Sequence, residues 1–195
     1  MHPISTPLTS SIRDIGRVPV DNQQTSFEAN EQFRFCDEWD DVAAADQIVY
    51  YVEITNPIIL QSRKLMVFTG GRKYRAFAEN PAAPIHTFTG ALASSGVTSL
   101  VNTIPREGVP YPVTGVTIRR ADGAGIFTPA AGVNPSTIDF IVSDGNVNQA
   151  TSNYSPDGTR VGVRGGAAFY LVLDHRGANV VTEGGIQLDW EERYS

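Results

Sequence analysis

The chain has 195 residues and a mass of 21.1 kDa, with 41% apolar and only 18% charged residues, a balance that supports a packed core and excludes general disorder. Its 18 Gly and 12 Pro make about 15% of the chain, short of the ~25–30% of low-complexity sequences. With 15 basic against 21 acidic residues, net −6, it lacks the clustered cations of a phosphate-binding surface, so no nucleic-acid partner is expected.

Residues 1–30 differ from the rest. They hold Pro3, Pro7 and Pro19 among many Ser, Thr, Asn and Gln residues, with no periodic apolar face. The opening Met1 to Pro7 has neither a basic nor an apolar region, so it does not read as a secretory signal, and synthesis in a cytoplasm is expected. Ile12, Arg13, Ile15, Arg17 and Val18 are apolar and cationic points on a polar ribbon. Such a segment is either a disordered leader or an extended N-terminal arm that binds a partner through those residues. An arm of about 25 residues reaches at most ~85 Å.

From residue 31 onward the dominant period is two. Phe33 and Phe35 alternate with Gln32 and Arg34. Asp37, Glu38, Asp40 and Asp41 then form the densest acidic cluster, with Trp39 inside it; the cluster reads as a solvated turn. One helical turn is expected around Val42 to Ala45, with Asp40 or Asp41 as its N-cap. Ile48, Tyr50, Val52 and Ile54 share one face against Val49, Tyr51 and Glu53, and Leu65 and Val67 alternate with Met66 and Phe68. The same alternation recurs at Val116 and Ile118, at Ile138, Phe140 and Val142, and at Ile186, Leu188 and Trp190. β-Branched and aromatic residues at this period mark half-buried strands.

Punctuation agrees. Asp122-Gly123, Asp144-Gly145 and Asp157-Gly158 read as turns, while Asn56-Pro57, Asn80-Pro81 and Asn134-Pro135 end strands because proline donates nothing to a ladder. Eight to ten short strands are expected, without βαβ units or heptads, which predicts an all-β sandwich or jelly roll. The longest apolar run, Ala167 to Leu173, is far shorter than the ~18 residues of a spanning helix, so no membrane partner is expected. A strand apolar on both faces must be covered twice, either by the chain's own second layer or by a neighbouring subunit.

The chemistry-bearing residues are sparse. A single cysteine, Cys36, excludes an internal disulfide and a cysteine-based zinc site; it reads as a small half-buried apolar residue. The acidic cluster lacks the spacing of a calcium loop. His86 and His175 stand alone in sequence, and no Gly-x-Ser-x-Gly elbow supports a hydrolase triad. Asp174-His175-Arg176-Gly177 reads as a hairpin tip, and Thr69-Gly70-Gly71-Arg72 and Arg164-Gly165-Gly166 read as turns. Asn153-Tyr154-Ser155 is a formal glycosylation sequon. Of the basic residues 13 are Arg, which suits protein interfaces because its planar fork pairs with carboxylates and stacks on aromatics. No catalytic residue, metal or cofactor is expected.

A polar, Pro-containing leader runs into Ser26-Phe27-Glu28-Ala29-Asn30-Glu31-Gln32-Phe33, and a body of short strands closes on Gly184-Gly185-Ile186-Gln187-Leu188-Asp189-Trp190-Glu191-Glu192. In that organisation the chain resembles the decoration, or cement, proteins of tailed-bacteriophage heads. The resemblance implies a β-sandwich or jelly-roll-like domain, residues 31–195, behind an extended N-terminal arm, residues 1–30. It also implies a homo-oligomer, a trimer in many of these proteins, that binds the outer capsid where major capsid protein subunits meet. The expected reading is therefore a non-enzymatic structural virion protein. The alternative is a glycan-binding or receptor-binding sandwich, using Trp39, Tyr111 and Tyr154 as exposed stacking platforms.

Overall fold

The computed structural model describes residues 32–42, 47–94, 99–100, 114–121, 125–142, 150–154, 161–175 and 182–192. The leader, with Ile12, Arg13, Ile15, Arg17 and Val18, lies outside the described residues. So do Tyr111, the 43–46 segment and the three Asp-Gly turns.

Among the described residues there are fourteen strands and no helix. They are β1 (Gln32–Val42), β2 (Ile48–Ile54), β3 (Ile58–Thr69), β4 (Gly71–Glu79), β5 (Thr87–Thr89), β6 (Leu92–Ser94) and β7 (Ser99–Leu100). After them come β8 (Val116–Ala121), β9 (Ile126–Thr128), β10 (Thr137–Val142), β11 (Ala150–Tyr154), β12 (Val161–Val163), β13 (Ala167–His175) and β14 (Thr182–Glu192). The count exceeds the expected eight to ten because several two- and three-residue strands have no room to display a period. One sheet has the order β11-β3-β14-β1-β7, with β12 also on β3; the second runs β10-β4-β13-β2-β8-β6, and β5 pairs with β9. All pairings are antiparallel, and the first and last long strands are neighbours, with Gln32 opposite Glu191.

The two large sheets bury one core between them. Phe33, Phe35 and Trp39 of β1, Leu65 and Val67 of β3, and Ile186, Leu188 and Trp190 of β14 meet Ile48, Tyr50, Val52 and Ile54 of β2 and Leu171 and Leu173 of β13. Apart from Trp39, these are the inward positions that alternation assigned on β1, β2, β3 and β14. The outer face of β13 is covered as well: Tyr170 and Val172 pack with Val49, Phe77 and Phe127 under the β5–β9 layer. Of the two covers open to the Ala167 to Leu173 run, the chain's own second layer is the one used.

Three local readings are corrected. Asp37 to Asp41 belong to β1 and not to a turn or a helix cap, because Trp39, 1% exposed, must point into the core and its neighbours alternate around it. Asp174 and His175 are the last residues of β13, opposite Lys73 and Arg72, and not a hairpin tip. Cys36 is exposed, since it lies on the outer parity of β1 between Phe35 and Asp37. The glycine turns stand as expected, with Gly70 at φ 79° between β3 and β4 and Gly166 at φ 78° before β13, a region open to glycine at no steric cost.

Candidate functional site

Charged side chains in this sandwich join its layers. Asp37 accepts hydrogen bonds from the Tyr50 hydroxyl (2.7 Å) and from Arg120 (2.9 Å), linking β1 of one sheet to β2 and β8 of the other. Burial pushes the Tyr50 hydroxyl well up, and Asp37 adds to the effect, so the phenol stays a donor. The carboxylate of fully buried Glu192, at the end of β14, accepts from the Gly115 N–H at 2.8 Å, from the Thr114 hydroxyl and, at 3.4 Å, from Asn56. It ties one sheet to the approach to β8 and to the β2–β3 turn, at the end of the body where Gln32 enters.

Two further networks stiffen the outer faces. Asp189 accepts from Arg34, Ser62 and Gln187. Burial pushes its carboxyl up, but those three donors outweigh burial and hold it below the usual range. Asp174 takes a bidentate pair from Arg75 (2.6 and 2.9 Å) and a bond from Gln47, whose other end accepts the Phe127 N–H at 2.8 Å. Gln47 thereby fastens the β5–β9 layer to the sandwich.

His86 is structural in geometry. Its Nδ1 accepts the Ala130 N–H at 3.0 Å, its Nε2 donates to the Ala78 carbonyl at 3.1 Å, and the ring packs against Phe77, Phe127 and Tyr170. Glu79 gathers the N–H groups of Asn80, Ile85 and His86, each within 3.0 Å. Burial pushes Glu79 up, and the three donors reverse the shift and leave it lowered. For His175, neither ring nitrogen has a hydrogen-bond partner among the described residues, so no group orients it as a triad would require. Partial burial pushes the Cys36 thiol up, opposite to the activation of a reactive thiolate. Among the described residues no group of three or more His, Cys, Asp or Glu is placed to hold a metal ion.

One concavity was not foreseen. A cavity of about 400 Å³ lies between the sheets, walled by side chains such as Val52, Ile118, Leu171, Leu188 and Trp190. The buried Arg63, 5% exposed, is part of its wall, and its guanidinium lies 4.2 Å from the centroid of the Tyr74 ring. The sequence held a signal for it: Arg63 has the parity of Leu65 and Val67, so alternation alone turns a cation inward. The proposed sugar-stacking Trp39 is buried with its indole against Gly184, and the Tyr154 side chain lies outside the described set. In comparison with known proteins, no family model, no curated sequence and no solved structure matches the chain.

Proposed function

We propose that the chain is a structural virion protein that decorates the outer face of a tailed-bacteriophage capsid, bridging major capsid protein subunits as a homo-oligomer, specifically a trimer. The observation that carries the reading is the order of eight strands in the two large sheets. In one sheet β1-β14-β3-β11 are neighbours, and in the other β2-β13-β4-β10. Followed through those strands, the chain changes sheet at β1 to β2, β2 to β3, β3 to β4, β10 to β11, β11 to β13 and β13 to β14, a path that fits a jelly roll. Capsid proteins and lectins both use that architecture. Fold alone does not choose between them. The burial of Trp39 favours the structural use, since it removes one of the three aromatics on which a sugar-stacking surface would rest.

The leader supplies reach. It joins the body at Gln32, paired to Glu191 beside the Glu192 clamp, so a pull on it is borne by a central strand pair. Once the body is seated, a tethered arm meets its own site at high effective concentration, and weak contacts through Ile12, Arg13, Ile15, Arg17 and Val18 add avidity. The test is co-sedimentation of the full chain and a variant lacking residues 1–25 with candidate tailed-phage capsids, alongside mass measurement in solution. The full chain is expected to pellet with capsids as a trimer, and the truncated chain to fold but bind weakly. Equal binding of the two removes the arm from the proposal, and absence of capsid binding by the full chain removes the proposal itself.

A further inference from the structure

Protein interiors are close-packed, and gaps larger than a water molecule are few. The inter-sheet cavity, about 400 Å³, departs from that rule and falls within the ~300–1,000 Å³ range of small-molecule pockets. Its wall takes Val52, Ile118 and Leu171 from one sheet and Ile58, Leu188 and Trp190 from the other. The mouth lies between edge strands of the two sheets, where lining residues meet solvent: exposed Ser136 just before β10, and half-buried Thr137 on β10 and Val163 on β12. The polar residues of the lining are Ser136, Thr137 and Arg63. The two hydroxyls belong to the mouth, and the Arg63 guanidinium is already engaged, with Tyr74 among its partners at 4.2 Å from the ring centroid. The lining therefore offers no uncommitted charge to pair with an ionised ligand, and burying a charge without a partner is costly. A dry apolar cavity of about 150 Å³ holds benzene. In proportion, about 400 Å³ holds between two and three times as much, roughly sixteen non-hydrogen atoms.

We propose that this cavity binds one neutral apolar molecule of roughly ten to sixteen non-hydrogen atoms, of the medium-chain aliphatic alcohol class. Its hydrocarbon lies on the Val52, Ile118 and Leu188 wall, and its polar end sits at Ser136 and Thr137 in the mouth. Burial of the hydrocarbon supplies the affinity. Serine and threonine hydroxyls both donate and accept, so they suit an O–H head that keeps contact with water. This site stands apart from the capsid reading and does not depend on it.

The experiment titrates hexanol, octanol, decanol and decanoate separately into the full-length, delipidated chain by calorimetry, with tryptophan fluorescence as a second readout because Trp190 lines the cavity. Decanol is expected to bind saturably at one site per chain, with affinity rising about fourfold per methylene from hexanol to decanol. Decanoate is expected to bind about tenfold or more weakly than decanol, since its charge must leave water without a partner. Thr137→Trp, at the mouth, is expected to weaken decanol binding about tenfold or more. The proposal is overturned by absence of saturable decanol binding, by affinity that does not rise with chain length, by decanoate binding as tightly as decanol or more so, or by unchanged binding in a folded Thr137→Trp variant. The comparisons among alcohols and acid need no substitution, so they decide the matter even if the variant fails to fold.

Discussion

Replacing Trp190 by alanine tests the core argument most directly. The indole is 2% exposed, stacks on Phe33 with ring centroids 5.9 Å apart, and stands on the β14 face that closes the sandwich. A buried aromatic removes about 150–250 Å² from water, worth roughly 4–6 kcal/mol at 25 cal/mol per Å² as an upper bound. Measured Trp→Ala costs run about 3–5 kcal/mol. Part of the indole borders the cavity and has no packed neighbours to lose on that flank, which places the expected loss in the lower half, about 3–4 kcal/mol. For a chain of this size that corresponds to a fall in Tm of roughly 6–16 °C. Urea unfolding followed by circular dichroism measures it, with an unchanged m-value as the check on two-state behaviour. A double-mutant cycle with Phe33→Leu should return about 0.5–1.5 kcal/mol of coupling from the stack. A loss below about 1 kcal/mol would refute the placement of Trp190 in the load-sharing core.

Further tests probe the local chemistry. A methyl group at Gly184 would stand 2.2 Å from the Met66 carbonyl and 2.6 Å from the Trp39 ring, so Gly184→Ala should cost about 1–3 kcal/mol, while Gly162→Ala, with nothing within 4 Å, should stay within ~0.5; equal denaturation midpoints would contradict the close approach. Asp189 and Glu79 are both held below their ordinary values of 3.8 and 4.5. Their contribution is therefore complete above those values and is lost as pH falls through the lowered ones. Asp189→Asn or Glu79→Gln should flatten the decline of stability from about pH 5 to 2, and unfolding curves with an unaltered acid limb would count against it. Glu192→Ala should cost about 3 kcal/mol or more by orphaning the Gly115 and Thr114 donors, and Glu192→Gln less; identical melting temperatures for the two variants would argue against a charge-assisted clamp.

The fold was legible where strands were long and one-sided. Alternation at Ile48 to Ile54, at Leu65 to Phe68 and at Ile186 to Trp190 assigned the inward face correctly, because a one-residue slip would turn every apolar side chain to solvent. It failed at Asp37 to Asp41, where four acidic residues masked the second half of β1, whose inward aromatic there, Trp39, lies against Gly184. Composition registered the charges; only pairing shows that Asp37 is spent on Tyr50 and Arg120. The cavity was out of reach for a different reason. Its wall combines residues scattered from Val52 to Trp190, and no local window contains their convergence. Arg63 was the available clue, a cation at core parity. The Ala167 to Leu173 run was read correctly as doubly covered, but the choice between self and neighbour depended on Phe77 and Phe127, far away in sequence.

That choice narrows where a partner can attach. The outer face of the β13 sheet is occupied in part by the chain's own β5–β9 layer, and the opposite outer face carries the Arg34–Asp189–Gln187 network and the exposed Phe68 of β3. Sheet edges are a further surface on which the body can make contact. Ile138 is a test point there: it lies on β10, the terminal strand of its sheet, and is 47% exposed, while its neighbour Thr137 faces the cavity. Sequence alternation grouped Ile138 with Phe140 and Val142 as one apolar face, and the structure turns that face outward at Ile138. An isoleucine so exposed contributes little to folding, so Ile138→Asp should change stability by no more than ~0.5 kcal/mol. If the edge is an attachment surface, the same substitution buries a charge against a partner and should weaken self-association or capsid binding about tenfold or more. Analytical ultracentrifugation and capsid pelleting read the two cases separately. Unchanged behaviour in both would take the β10 edge out of the assembly and leave the leader as the attachment to be mapped.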